Sequence, residues 1–405
     1  MRGVGRLNKS PHTAQAFANR HKMRICYLAD GRSMHFHRWL RYFSGRGHEM
    51  YFISYLPVDD GHIARIENAG AIYLGAITTF HLKRFWVTLR NLRWLKRTLK
   101  ERGIQALHCH FLGANAWYGA LSNFHPLIVS VMGGDVCGKD WKPGNDPRER
   151  WLTPLALRRA DLITSWSDQL MRVARRHCQA DKTIEVVHGG VDLNRFNPGD
   201  RPRYLLKRWN LPENARIAFS PRLMRPLYNL DKIAIGAVEV CQKDPHAYFL
   251  FAYLNEVKDE SYEAKVRDLI REGGASDRVR FIGPIHHDEM VDHYRLADVT
   301  VSIPETDGTP MTVLESMACG TPVVVSDIPD YDPHYIEPGE TVLSVKPQDT
   351  AGLAGAILRL LEGSDLAGRL AAEAGNRVRM TGSYESQMSR MERLYLSLAN
   401  DGRSV

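Results

Sequence analysis

The chain has 405 residues, 44% hydrophobic and 25% charged, the balance of a globular protein with room for two ordinary domains. No run approaches the roughly 18 apolar residues that a bilayer-spanning helix requires, which excludes an integral helical membrane protein from the sequence given. Charge is unevenly spread: residues 1–212 carry 34 Lys and Arg against 16 Asp and Glu, and the rest carries 20 against 30. A first half this basic points to an anionic partner, whether acidic lipid, a lipid-linked phosphate, an acidic glycan or nucleic acid; the plainer alternative is a solvated surface with a basic tail.

Residues 1–22 are polar and basic without an apolar centre, so they do not read as a secretory signal. They are expected to be a disordered extension, with Met23 an alternative start. Six cysteines are scattered without a C-x-x-C pair, as expected of reduced thiols rather than disulfides or a zinc site.

From Met23 the chain alternates. Met23 to Ala29 is an apolar run that ends in Asp30-Gly31-Arg32-Ser33, a strand entering a turn. His35 to Arg46 has helical spacing and Met50 to Tyr55 is the next strand, so a parallel sheet is expected. Gly31 falls at a strand's C-terminal end, where doubly wound folds bind ligands. His81 to Arg102 reads as a basic amphipathic helix, with Leu82, Phe85, Trp86, Leu89, Leu92, Leu95 and Leu99 at helical spacing. Such a helix either lies on an anionic membrane or packs its apolar stripe on the sheet with a solvated basic side. Ala106 to His110 and Leu127 to Val131 are further strands, the second followed by Met132-Gly133-Gly134-Asp135. His108 and His110 are more readily structural than catalytic. Asn197 to Asn214, rich in Pro, Arg and Asp, reads as a linker. Alternation resumes from Ile217, with helices at 231–242, 263–272 and 288–296 and strands at 248–252, 279–282 and 299–303. Helices at 349–361, 366–376 and 384–399 close the chain.

The most informative stretch is Asp307 to Asp327, DGTPMTVLESMACGTPVVVSD. It reads as a loop, a short helix, a Gly-Thr-Pro turn and a buried valine strand. Thr312 is placed to cap the helix, whose N-terminus offers unpaired N–H groups to a phosphate, and Gly308 lets backbone approach a ligand closely. Asp307 and Glu315 then reach different parts of one ligand. The competing reading makes Thr312 to Glu315 a capping box, with Glu315 folded back on the backbone.

Taken whole, Asp307–Asp327 resembles the donor-binding signature of the retaining glycosyltransferases of family four: two acids separated by seven residues, a small-residue helix end and a valine strand. His188-Gly-Gly-Val-Asp192 and Arg195-Phe-Asn-Pro198 resemble that family's interdomain segment. The resemblance implies the GT-B fold, α/β, with two doubly wound Rossmann-like domains facing across a cleft. The expected division is a 1–22 extension, a 23–200 acceptor domain, a 201–382 nucleotide-sugar domain, and a helix over 383–405 crossing back to the first domain.

The resemblance also assigns roles. Arg222 matches the family's phosphate-binding arginine, while Leu227, Tyr228 and Asn229 stand where a lysine is usual, leaving Arg225 to supply the second charge. Gly308, Thr309, Met311 and Thr312 line the donor through backbone, Asp307 meets sugar hydroxyls and Glu315 ribose hydroxyls. Gly31 faces the donor phosphates; Gly133 and Gly134 approach the sugar and Asp135 contacts a hydroxyl, although Met132 replaces the family's usual histidine. Catalysis is expected of Asp307, Arg222 and Asp135. The implied reaction moves a sugar from a nucleoside diphosphate sugar to an acceptor hydroxyl on a lipid-linked or cell-surface glycan precursor. The enzyme would sit in the cytoplasm, peripherally on the inner face of the membrane. Two alternatives are a nucleotide-sugar epimerase of the same fold and a non-catalytic binding subunit. No metal or other cofactor is expected, since Asp330-Tyr-Asp332 sits in a proline-rich loop and reads as a turn. No nucleic-acid module is recognisable.

Overall fold

The structure, a computed structural model, describes residues 22–33, 35–78, 80, 84–132, 147–178, 182–253, 259–363 and 365–400. Gly133, Gly134 and Asp135, and nearly all of the N-terminal extension, lie outside the described residues. Two compact units emerge. One takes the chain up to Trp166, Leu170–Gly189 and the chain from Met388 onward; the other takes Ser167–Gln169 and Gly190–Gln387.

The N-terminal unit is built from β1 (Arg24–Ala29), α1 (His35–Gly45), β2 (Glu49–Tyr55), α2 (Asp60–Asn68), β3 (Ala71–Ile77), α3 (Phe85–Glu101), β4 (Ala106–His110), α4 (Ala114–Ser122), β5 (Leu127–Val131), α5 (Pro147–Arg159), β6 (Leu162–Ser165), α6 (Asp168–Arg175, whose first two residues group with the other unit) and β7 (Ile184–Val186). Its seven parallel strands lie in the order β3-β2-β1-β4-β5-β6-β7. Apolar runs become strands here because helices cover both faces of a parallel sheet: β4 and β5 are buried at every position.

The C-terminal unit continues with α7 (Arg203–Arg208), β8 (Arg216–Ser220), α8 (Leu230–Lys243), β9 (Ala247–Tyr253), α9 (Glu260–Glu272), β10 (Val279–Pro284), α10 (Met290–Leu296), β11 (Val299–Ser302), α11 (Met311–Ala318), β12 (Val323–Ser326), β13 (Leu343–Val345), α12 (Thr350–Leu361), α13 (Asp365–Thr381) and the start of α14 (Tyr384–Asn400). Its sheet runs β10-β9-β8-β11-β12-β13, parallel throughout. Two apolar clusters sandwich it: Phe219, Tyr294, Leu314 and Val323 on one side, Phe249, Val301, Val324 and Ile357 on the other.

Three expectations change. The segment expected to be a linker contains α7, whose Leu205 and Leu206 are buried in the C-terminal core, so apolar burial overrides its Pro- and Arg-rich surroundings. Strand β13, only three residues long, has too little pattern to be read. The amphipathic helix begins at Phe85, with Arg84 as its non-helical N-cap, and its buried side is Thr88, Asn91, Leu95 and Leu99; residues 81–83 lie outside the described residues. Phe85 and Trp86 are exposed rather than part of that stripe, while the Trp94 ring lies against β3, where a Cβ added at Gly75 would meet it at 3.3 Å.

Helix α14 starts beside Val191. The Val191 N–H donates to the Gly382 carbonyl and the Tyr384 N–H donates to that of Val191 (2.8 and 2.7 Å). Gly190 takes a left-handed φ of 67°, and a Cβ there would lie 2.5 Å from the Tyr384 Cα, so only glycine fits. From Met388 on, α14 belongs to the N-terminal unit. There the Tyr395 hydroxyl bonds His108 Nδ1 and, at 3.1 Å, the Tyr27 hydroxyl. His108 Nε2 bonds Ser130 Oγ at 2.7 Å, and Ser130 bonds Thr164 at 2.6 Å. Burial, and then the neighbouring His110, keep His108 well below the usual histidine range, so it is a neutral core residue.

Candidate functional site

In an open parallel sheet, ligands bind beyond the carboxyl ends of the strands where strand order reverses. In the C-terminal unit that point lies between β8 and β11. The segment after β8 carries Arg222, and the segment after β11 carries Asp307 and leads into α11, so topology alone brings the sequence's main candidates together.

Arg222 is 8% exposed and donates twice: from Nη2 to Asp307 Oδ2 at 2.5 Å and from Nη1 to Thr312 Oγ1 at 3.0 Å. Its guanidinium also lies 4.3 Å from the ring centroid of Tyr228. Tyr228 thus occupies the position expected of a lysine and supplies an aromatic platform instead of a second cation. Burial opposes the charged guanidinium, but the Asp307 carboxylate beside it holds its pKa above the ordinary value. Asp307 also accepts from the Gly308 N–H at 2.9 Å. Arg225 is exposed and takes no part in this cluster among the described residues.

Helix α11 differs from expectation at its first turn. Pro310 is the N-cap, no side chain caps the helix, and Thr312 is its second residue, with its hydroxyl turned to Arg222. Met311 opens the helix and Thr309 is buried just before it. The helix N-terminus therefore keeps backbone donors for a ligand.

Glu315 forms no capping box. It is 4% exposed, and its two oxygens meet the Tyr294 hydroxyl and His287 Nε2, each at 3.2 Å. Arg195 donates to His287 Nδ1 at 3.0 Å and to the His287 carbonyl, and pairs with Asp288 at 2.8 Å. A ring nitrogen that accepts from Arg195 leaves the proton on Nε2, where it is donated to Glu315. Burial and the Glu315 charge push Tyr294 well above the usual phenol range, so its hydroxyl stays a donor. His287 and Tyr294 were not legible as site residues; the one local hint was the Arg195-Phe196 segment that supports His287.

Gly31 lies in the other unit, in the turn after β1. Its N–H donates to Ser54 Oγ at 3.1 Å, and a Cβ there would sit 2.8 Å from that oxygen, so local packing already demands glycine. Among the described residues no cluster of three or more His, Cys, Asp or Glu is placed to hold a metal ion. Among them also, no helix is long and apolar enough to cross a membrane.

Two doubly wound units of this kind define the GT-B fold. Comparison with known proteins agrees. The model of the glycosyl transferases group 1 matches residues 205–377, and that of Glycosyltransferase Family 4 matches residues 29–195. Together the two models cover most of the chain, which belongs to the glycosyltransferases they describe. Among solved structures, a glycosyltransferase from Rickettsia africae aligns with a TM-score of 0.80 at 17% identity, over 95% of this chain and 100% of that one. Anabaena HepE in complex with UDP aligns with a TM-score of 0.76 at 15% identity, over 93% and 100%. Curated relatives include D-inositol 3-phosphate glycosyltransferases from Acidothermus cellulolyticus and Geodermatophilus obscurus. The first is 31% identical over 210 residues, 50% of this chain and 45% of that protein; the second is 27% identical over 209 residues, 51% and 46%. These alignments thus span about half the length of the curated relatives.

Proposed function

We propose that the protein transfers a sugar from a nucleoside diphosphate sugar to an acceptor hydroxyl and keeps the anomeric configuration. The observation that carries this reading is the Arg222–Asp307–Thr312 cluster at the N-terminus of α11, on the strand-order reversal of the C-terminal sheet. Crystals of the similarly folded HepE hold UDP and UDP-glucose, which supports a donor of this class. As the glycosidic bond breaks, the leaving diphosphate gains charge, which Arg222 and the backbone N–H groups of Met311 and Thr312 at the start of α11 stabilise. Asp307 then takes sugar hydroxyls and Glu315, held by His287 and Tyr294, takes ribose hydroxyls. The acceptor attacks from the face the diphosphate leaves and passes its proton to it, so the chain supplies no nucleophile and no metal. Incubating a panel of UDP- and GDP-sugars with and without candidate acceptors tests the reading. Transfer that needs acceptor, with retained configuration, supports it; conversion of donor alone points to an epimerase, and binding without turnover to a binding subunit.

We further read the acceptor as an anionic lipid-linked or glycan precursor at the inner face of the cytoplasmic membrane. Residues 84–102 hold seven Lys and Arg against Glu101 alone. Along α3, Trp86, Arg90, Arg93, Arg97 and Lys100 follow at spacings of four, three, four and three, which places them on one outward line. At its start the rings of Phe85 and Trp86 lie 3.9 Å apart, tilted by 35°, and the two residues are 49% and 70% exposed. A basic line ending in exposed aromatic rings suits anionic headgroups with a shallow aromatic anchor. Co-sedimentation with anionic vesicles should occur at low salt and fall when Arg90, Arg93, Lys96 and Arg97 become glutamine. Protein that stays in the supernatant refutes the membrane reading and leaves a soluble acidic acceptor.

A further inference from the structure

We infer that Asp330 is a specificity-determining residue of the donor site, presenting Oδ1 to a hydroxyl of the transferred sugar. The inference rests on the donor reading above and adds a carboxylate that the sequence pattern assigned only to a turn. Asp330 follows β12 in a tight turn, yet its side chain is withdrawn from water, with the residue 7% exposed. Its Oδ2 accepts from Thr306 Oγ1 at 2.9 Å. Thr306 immediately precedes Asp307, so this bond ties the turn to the loop that carries the Arg222 partner. Tyr331, the next residue, is buried and shares a hydrogen bond with Ser326 at the end of β12 (3.2 Å). Burial first, and then the Asp307 carboxylate, raise the Tyr331 phenol, so the field of Asp307 reaches this turn.

The other oxygen, Asp330 Oδ1, is buried and has no hydrogen-bond donor among the described residues. A buried carboxylate oxygen without a donor is costly, and such an atom beside a binding site calls for a partner. A carboxylate only accepts, so the partner is an O–H or N–H group and not a phosphate. The phosphates have Arg222 and the start of α11. Glu315, the carboxylate read as the ribose partner, stands in a separate cluster with His287 and Tyr294. The tie to Asp307 places Asp330 with the sugar end of the donor.

Calorimetry with UDP- and GDP-sugars, each beside its free nucleoside diphosphate, separates the possibilities. Asp330→Asn keeps the shape and the Thr306 bond but turns the free acceptor into a donor. It should weaken binding of the nucleotide-sugar that wild type prefers by tenfold or more, the size of a lost charged hydrogen bond, and leave the free diphosphate unchanged. Thr306→Val keeps the carboxylate and cuts its tether, and should give a smaller loss of the same kind. Equal losses for sugar-bearing and free diphosphates, or no loss for either, would overturn the inference and leave Asp330 a turn residue. Unaltered melting temperatures of both variants would confirm that folding is not the cause. Wild type that binds neither class of ligand would overturn the donor reading itself, and this inference with it.

Discussion

The C-terminal unit withdraws charge from water and matches it, whereas α3 of the N-terminal unit displays it. Arg222 is met by Asp307, Thr312 and the Tyr228 ring, and Glu315 by His287 and Tyr294. On α3, Arg90, Arg93, Lys96, Arg97 and Lys100 stand exposed, and Glu101 pairs with Arg97. A buried, matched charge depends on geometry and little on ionic strength. An exposed row depends on ionic strength and little on geometry. One arrangement suits recognition of a single small ligand in one pose, the other attraction of an extended anionic surface.

The comparison breaks most visibly at Arg222. Arg222→Ala should slow transfer at saturating donor by on the order of 10²-fold or more, because the departing diphosphate loses its cation. Steady-state rates check this, and unchanged turnover would hand the role to another group such as Arg225. Glu315→Ala should raise the dissociation constant of free nucleoside diphosphate roughly tenfold, as when a charged hydrogen-bond acceptor is lost. Equal affinities by calorimetry would leave Glu315 a purely structural carboxylate.

A third test uses the buried histidine of the N-terminal unit. His108 has a lowered pKa in the folded state, so it stays neutral while the unfolded chain protonates below about 6.5. The sign follows: stability is fully present above that pH and falls as pH drops toward the folded value. Urea unfolding at pH 5.5 should show lower stability, through this residue, than at neutral pH. That difference should vanish in His108→Gln, and an identical pH response in the variant would count against it. The smallest effect belongs to the exposed row: Arg93→Gln should weaken anionic-vesicle binding about fivefold at low salt, shrinking as salt rises. Catalysis on a soluble acceptor should not change, and salt-independent binding would overturn the contrast.

The legible part of this molecule was the part whose cause is local. Buried parallel strands are apolar runs, so Met23–Ala29 and Val323–Val325 announce themselves. Asp307 and Glu315 lie on one short loop and helix, and Arg222 just past a strand. What escaped depends on residues that converge from afar. His287 and Tyr294 reach Glu315 from 28 and 21 residues away, and Thr306 meets Asp330 across 24. Trp86 was placed on the wrong side of α3 because helical spacing admits two neighbouring stripes, and the sheet alone chooses between them. Thr312 was misread as a cap because Pro310 already occupies that position with a backbone ready to turn.

The return of α14 into the N-terminal unit has a consequence for how the protein is made. His108 and Tyr395 are 287 positions apart, so at about 5–20 residues per second Tyr395 is synthesised roughly 15 to 60 s after its partner. Strands β8 to β13 and their helices are all polymerised in that interval. The unit translated first is therefore the one finished last. Until the ribosome delivers α14, the nascent first unit holds a buried imidazole and the Tyr27 hydroxyl without the phenol that joins them.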